Sequence, residues 1–273
     1  MELSFAGLRK ALKSGPTVSV IRLYGAIGVG GAFGRGGLDD ESLAPLIERA
    51  FQPKRLKAVA LSINSPGGSP AQSALIAARI RRLAAEKEVR VYAFVEDLAA
   101  SGGYWLACAA DEIYAEHNAL IGSIGVISAG FGFHEAIGRL GVERRVHTAG
   151  ARKALLDPFR PEDPEDLERL TKIQKGIHGN FIAHVKRARG ERLNGGDDAL
   201  FAGDVWLAEE ASGLGLIDGI GHLVPTMQDR FGKDVKFNVA RPRKSLLQRL
   251  GAPGAGDVLA ALEEQALFAR YRP

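Results

Sequence analysis

Apolar positions recur along this chain with two periods, and the order in which those periods alternate sets the fold. Continuous runs rich in β-branched and aromatic residues, TVSVIRL from Thr17, LKAVALSI from Leu56 and VYAFV from Val91, read as strands covered on both faces. Between the first two, Leu43, Leu46, Ile47 and Phe51 share one helical face. After the second, SPAQSALIAARIRRLAAE predicts a helix with Ser69 as N-cap, Pro70 at the first helical position and Gln72 completing a capping box. Strand, helix, strand, helix, strand is the grammar of an α/β protein.

The alternation continues through a short strand, EIYAE at 112–116, and the segment ALIGSIGVISAG. A long helix is predicted from Pro161, with Leu167, Leu170, Ile173, Ile177, Phe181 and Val185 at helical spacing. DVWLAEEASGLGLIDGIG then suggests a helix ended by Gly213 or Gly215 and a return strand, and KFNVA suggests another strand. Three regions result: a candidate amphipathic helix at 1–16 built on Phe5, Leu8 and Leu12, a body at 17–240, and a basic, helical arm at 241–273. The arm ends in VLAALEEQALFARY after a GAPGAG linker and reads as a device for association, its tail able to thread into an active site.

With 273 residues, 46% of them hydrophobic and 25% charged, the chain buries a large core and disorder is excluded as its dominant state. Lysine plus arginine exceed aspartate plus glutamate by 36 − 32 = 4, and outside RPRK at 241–244 and the trio Arg79, Arg81 and Arg82 the basic residues are scattered. No nucleic-acid partner is expected; a peripheral contact with anionic lipid is compatible with so mild a charge. The one cysteine, Cys108, forms no intrachain disulfide and fits a small structural position. No signal-peptide run and no stretch of about eighteen uncharged apolar residues is seen, so a soluble or peripheral protein is expected. Gly28, Gly30 and Gly34 miss the dinucleotide-binding spacing by one residue, and no G-K-[ST] follows for a P-loop.

Candidate chemistry centres on Ser101, between the VYAFV strand and the apolar segment YWLACAA. Read locally, it fits either a helix N-cap or a nucleophile whose developing charge is favoured by free N–H groups and the helix dipole. Gly67 and Gly68 allow an outward-pointing pair of N–H groups suited to an anion, or a plain turn. None of the six histidines (117, 134, 147, 178, 184 and 222) stands in a recognisable nucleophile-base motif. A lysine serves as base when burial or nearby positive charge lowers its pKa from about 10.4. Lys153, beside Arg152, suits that role or that of an exposed loop residue.

Four segments in this order and spacing, INSPGGSPAQS, EDLAASGGYWLACAAD, IGSIGVI and KALLDPFRPED, resemble the bacterial signal peptide peptidase A family of serine-lysine peptidases. The resemblance runs from Thr17 to Gly221 and implies an α/β fold, a Clp/crotonase-like spiral of ββα units, here with the C-terminal helical arm. It implies Ser101 as nucleophile, Lys153 as general base fifty-two residues later (153 − 101), Gly68 and Gly102 as oxyanion hole, and Ser123 as the serine that orients the lysine. It further implies an acyl-enzyme route without metal or cofactor, peptide substrates such as apolar signal-peptide remnants, and a homo-oligomeric ring or dome in which serine and lysine can come either from one protomer or from adjacent ones. Location is expected to be cytoplasmic or peripheral to the inner membrane. The chain departs from the family in showing no N-terminal membrane anchor, in the bulk of Arg152, and in lacking threonine-glycine after Trp206. Three other readings compete: a crotonase-type acyl-CoA hydratase or isomerase using Glu96 or Asp97, a non-catalytic membrane-associated scaffold, and a Clp-type peptidase using a histidine.

Overall fold

The three apolar runs form the central strands of an eight-stranded sheet: β1 (Thr17–Tyr24), β2 (Leu56–Ser65) and β3 (Arg90–Ala100), all parallel. The computed structural model describes residues 15–28, 37–150, 152–240, 262 and 265–271. The candidate helix at 1–16 lies almost wholly outside them, as does most of the arm at 241–273.

β3 is long enough to serve two neighbours in succession. Its first half pairs with β4 (Glu112–Ala115), Tyr92 opposite Glu112, and its last residues pair with β5 (Leu120–Gly122), Ala100 opposite Gly122. β5 is followed outward by the antiparallel β6 (Val205–Leu207), β4 by β7 (Gly219–Ile220), and β8 (Lys236–Val239) borders β1. The strand ends that carry Ser101 and Ser123 are thus hydrogen-bonded neighbours.

Helices cover one sheet face: α1 (Asp40–Ala50), α2 (Pro70–Lys87) and the six-residue α3 (Gly102–Ala107). Ile21, Leu23, Leu61, Ile63 and Val91 pack there against Ile47, Ile76, Ile80 and Leu106, each such side chain contributing about 1.5–3 kcal/mol on full burial. A short α4 (His134–Arg139) precedes the 26-residue α5 (Pro164–Arg189), after which come α6 (Asp197–Leu200), α7 (Ala208–Gly213) and α8 (Leu223–Phe231). On the opposite sheet face Val18, Val20, Ala58, Ala60, Tyr92 and Phe94 form a second cluster with Met227 of α8. Two covered faces explain why these strands are apolar at consecutive positions.

Local signals behave largely as the chemistry dictates. Asp39 caps α1 through the Ser42 N–H, and Ser69 and Pro70 open α2. Gln72 departs from the capping box: its Oε1 accepts the Asp40 N–H at 2.8 Å, lending its oxygen to the neighbouring helix start instead of its own. α5 begins three residues later than the apolar pattern suggested, because Asp163 caps it through the Glu165 N–H and Pro164 takes the first position. Its apolar stripe is buried only at Phe181 and Val185, while Leu167 and Ile173 face outward.

Of the basic trio, Arg79 pairs with Asp40 and Glu48, Arg81 with Asp111 and Arg82 with Glu86, while the RPRK segment at 241–244 lies outside the described residues. Among the described residues, no helix is long and apolar enough to cross a membrane.

Candidate active site

Ser101 stands where β3 turns into α3. Its N–H donates to the Gly122 carbonyl at 2.8 Å, and its own carbonyl accepts the Trp105 N–H at 3.0 Å. Between those two anchors the backbone takes φ 52° and ψ −123°, a conformation that a non-glycine residue holds at a cost of order 1–3 kcal/mol. A strained strand-to-helix turn of this kind lifts a hydroxyl clear of its surroundings. The side chain occupies the N-cap position yet makes no capping hydrogen bond, so the simple N-cap reading does not account for the serine.

The glycine loop before α2 is sewn to the end of β1. Ser65 Oγ donates to the Gly25 carbonyl at 2.7 Å, the Gly67 carbonyl accepts the Ile27 N–H at 2.8 Å, and the Ser69 N–H donates to the Ile27 carbonyl at 2.7 Å. Gly67 and Gly68 take φ 95° and 144°. A Cβ on Gly67 would lie 2.7 Å from both the Gly102 nitrogen and the Ser101 Cβ, and one on Gly68 would lie 2.1 Å from the Ile27 oxygen. Only glycine permits the loop to press against the start of α3 this closely. The Gly68 N–H enters no hydrogen bond among the described residues, and the Gly102 N–H belongs to the first helical turn, where donors have no intrahelical acceptor. Ile27, which no sequence motif marks, braces the glycine pair through its two backbone bonds, to Gly67 and Ser69, and Gly28 beside it packs against the Ser69 side chain.

Ser123 follows β5 directly and is also strained, at φ 51°, with its N–H on the Asp204 carbonyl at 2.6 Å. Ring atoms of Trp206 would stand 2.6 Å from a Cβ on Gly122, so the tryptophan floors this turn. The Ser123 hydroxyl has a partner from the C-terminal arm: Tyr271 Oη donates to its Oγ at 3.1 Å.

Lys153 lies elsewhere, on an arm between β5 and α5. Residues 127–150 are exposed throughout except for Ile137 and Val146, with Ile127, Phe131 and Leu140 at 70%, 81% and 77% accessibility. The Lys153 N–H closes a turn on the Gly150 carbonyl, its side chain is exposed, and no hydrogen bond joins its amine to Ser101 or Ser123 among the described residues. The arm leans on the first half of α5 around a cavity of about 750 Å³ lined in part by Phe131, Phe133, Leu156 and Leu170. Ser101, Gly68, Gly102 and Ser123 are thus gathered at neighbouring turns, and among the described residues no hydrogen bond brings the Lys153 amine to them.

Other titratable groups near the site are already engaged. Glu96 accepts from Ser62 Oγ at 2.6 Å and from Tyr24 Oη, and Asp97 accepts from Asn64 Nδ2. Burial, with Glu96 adding to it, raises the Tyr24 pKa. Burial also pushes the Cys108 thiol up to about 12, which rules it out as a thiolate nucleophile near neutrality. Two histidines on α5 reach backbone carbonyls beside the serines: His178 Nε2 lies 3.0 Å from the Ile124 oxygen and His184 Nε2 lies 3.0 Å from the Trp105 oxygen. Burial, with Arg187 reinforcing it against the Trp105 carbonyl, lowers the His184 pKa and keeps its imidazole neutral near pH 7. Neither residue carries a sequence signal for this role.

Comparison with known proteins places this arrangement. The sequence model of Peptidase family S49 matches residues 83–235. A Brucella melitensis protein named Na(+)/H(+) antiporter NhaA is 46% identical over 271 residues, covering 93% of this chain and 36% of that protein. The chloroplastic serine protease SPPA of Arabidopsis thaliana is 32% identical over 225 residues (81% and 32%), and Protease 4 of Salmonella typhi is 32% identical over 218 (78% and 34%). The chain spans about a third of the length of each of these relatives. Among solved structures, the 1510-N membrane-bound stomatin-specific protease aligns with TM-score 0.54 at 17% identity as a lysine-to-alanine variant holding a substrate peptide, covering 92% of this chain and 99% of that one. Its serine-to-alanine variant aligns with TM-score 0.53 over 84% and 99%. These likenesses establish the α/β, Clp/crotonase-like fold expected from the sequence.

Proposed function

The chain belongs to peptidase family S49, and we propose that within it the protein is a serine endopeptidase with a Ser101–Lys153 dyad, hydrolysing short apolar peptides such as signal-peptide remnants. The observation that carries this reading is the strained Ser101, its hydroxyl free of any capping bond and the Gly67–Gly68 loop pressed against it.

Ser101 Oγ attacks the scissile carbonyl carbon while its proton passes to the neutral amine of Lys153. The carbonyl oxygen becomes an oxyanion received by the N–H groups of Gly68 and Gly102, each such donor stabilising the transition state by about 3–4 kcal/mol. Collapse breaks the C–N bond, and the departing amine takes the proton back from the lysine. Water then attacks the ester carbonyl and gives its proton to the lysine amine; as the C–Oγ bond breaks, the lysine returns that proton to Ser101 Oγ, and the carboxylic acid product leaves. Neither half-reaction calls for a metal or cofactor. Substrate would lie extended, adding a strand along the site.

An exposed Lys153 on an apolar, outstanding arm supports a shared site, the arm of one copy delivering its lysine to Ser101 of the next within a ring or dome. Ser123, beside Ser101 on the adjacent strand end, is placed to receive and align that amine. The stomatin-specific protease has been solved both as a lysine-to-alanine variant with a substrate peptide and as a serine-to-alanine variant, which is compatible with a serine and a lysine in the chemistry of this fold.

Lys153→Ala is expected to lower hydrolysis of a fluorogenic apolar peptide by about 10²–10⁴-fold, the range of general-base catalysis, with an unchanged melting temperature because the side chain is exposed. Mixing it with Ser101→Ala chains should recover activity by pairing an intact serine with an intact lysine. Wild-type turnover in Lys153→Ala would remove the dyad, and hydration of a short enoyl-CoA by the wild type would favour the crotonase reading instead. Engagement of Glu96 and Asp97 by Tyr24, Ser62 and Asn64 argues against that alternative.

The Tyr271 hydrogen bond suggests that the C-terminal arm competes for the place at Ser123 that Lys153 would take. Truncation after Gly256 should raise turnover of small peptides about fivefold, the scale of one hydrogen bond of roughly 1 kcal/mol. Equal or lower turnover would show that the arm does not obstruct the site.

A further inference from the structure

We propose that His184 and His178 of α5 are positioning residues that hold the two strained serines in register, a role that rests on the peptidase reading and extends it. Four non-glycine residues in the described structure have positive φ, and two of them are Ser101 at 52° and Ser123 at 51°. Such backbones persist only where their surroundings over-determine them. Each of these two has a histidine of the same helix close behind it.

His184 acts on Trp105 in two ways. Its Nε2 donates to the Trp105 carbonyl at 3.0 Å, and its ring stacks on the indole with centroids 4.6 Å apart and planes 12° from parallel. Phe181, one turn earlier, lies against the same indole at 5.0 Å. The Trp105 N–H in turn holds the Ser101 carbonyl at 3.0 Å, so the imidazole reaches the serine through a single residue. Only a protonated Nε2 can donate to a carbonyl, which fixes the tautomer. A six-residue helix has little strength of its own and leaves carbonyls at its end without intrahelical partners, so an external donor matters more here than in a long helix.

His178 makes the corresponding bond to the Ile124 carbonyl, one residue beyond Ser123. The two histidines sit six residues apart, about 9 Å along the axis at 1.5 Å per residue, on either side of Phe181. α5 thus spans the ends of β3 and β5 and fixes both turns from one rigid body.

Misplacing a nucleophile by about 1 Å costs on the order of 10²-fold in rate. His184→Phe keeps a stacking ring and loses the donor; His184→Gln keeps a donor and loses the ring. The probe is the rate at which a fluorophosphonate labels Ser101, with Ser101→Ala as blank, read beside kcat and KM on a fluorogenic apolar peptide. His184→Phe should label and turn over at least about tenfold more slowly with KM unchanged, and His184→Gln should recover most of that loss. His178→Phe, which leaves α3 untouched, should lower kcat in the same manner, giving an independent reading if His184→Phe folds poorly. Labelling of His184→Phe at the wild-type rate, or equal loss in the Phe and Gln variants, would overturn the inference alone. Failure of the wild type to label at Ser101 would overturn both it and the peptidase reading.

Discussion

Ser101→Ala is expected to reduce peptide hydrolysis by about 10³-fold or more, leaving only what the oxyanion donors and substrate binding supply. On the proposed mechanism, the substitution removes the one atom that would form the acyl bond. Fold and assembly should survive, since the hydroxyl makes no capping bond and alanine is nearly the same size. Initial rates on a fluorogenic apolar peptide, with circular dichroism and sedimentation as controls, check this. Turnover within a fewfold of wild type would mean that another group acylates or that water attacks directly.

Asp218→Asn should be the most damaging change outside the site. The Arg189 side chain is 1% exposed and its guanidinium meets the Asp218 carboxylate twice, at 2.7 and 3.1 Å, while Arg192 and the Ile113 N–H donate to the same group. Burial pushes the Asp218 pKa up, but the Arg189 and Ile113 hydrogen bonds outweigh it and hold the carboxyl below its usual range. An asparagine would turn an NH₂ toward one of these donors and strand a buried cation, at about 3–5 kcal/mol. For a domain of this size that corresponds to a fall of roughly 10 °C in melting temperature. Because the folded pKa is depressed, the stabilisation is present above the ordinary carboxylate range and fades as pH falls through the lowered value. The variant's deficit should therefore be full near neutrality and shrink in strong acid; thermal scans that superimpose at pH 7 would refute the account.

Much of this molecule is legible in its sequence, and what is not has a physical reason. Ser101 and the Gly67–Gly68 pair stand at strand-to-helix turns, where apolar period and glycine placement change together within a few residues. α8 escaped notice because LVPTMQDRF is short and carries a proline, although its Met227 anchors the second core. The true start of α5 was signalled by Asp163 and Pro164, but the apolar stripe invited an earlier one. His178 and His184 were invisible for a deeper reason: their acceptors are backbone carbonyls 54 and 79 residues away, and no side-chain pattern announces a carbonyl. Lys153 is the converse case, picked out in sequence by the resemblance yet without a hydrogen bond to either serine among the described residues.

The pairing of Ala100 with Gly122 has a lasting consequence for how such a protein can change. Ser101 and Ser123 each leave the sheet one residue beyond that pair, so their separation is inherited from a strand spacing of about 4.8 Å rather than from any loop. Insertions, deletions and drift in the arm at 126–163 leave that ladder untouched, so the two turns keep the backbone spacing it sets. A lineage built this way can vary the arm freely while the spacing of the two serine turns is held by the sheet.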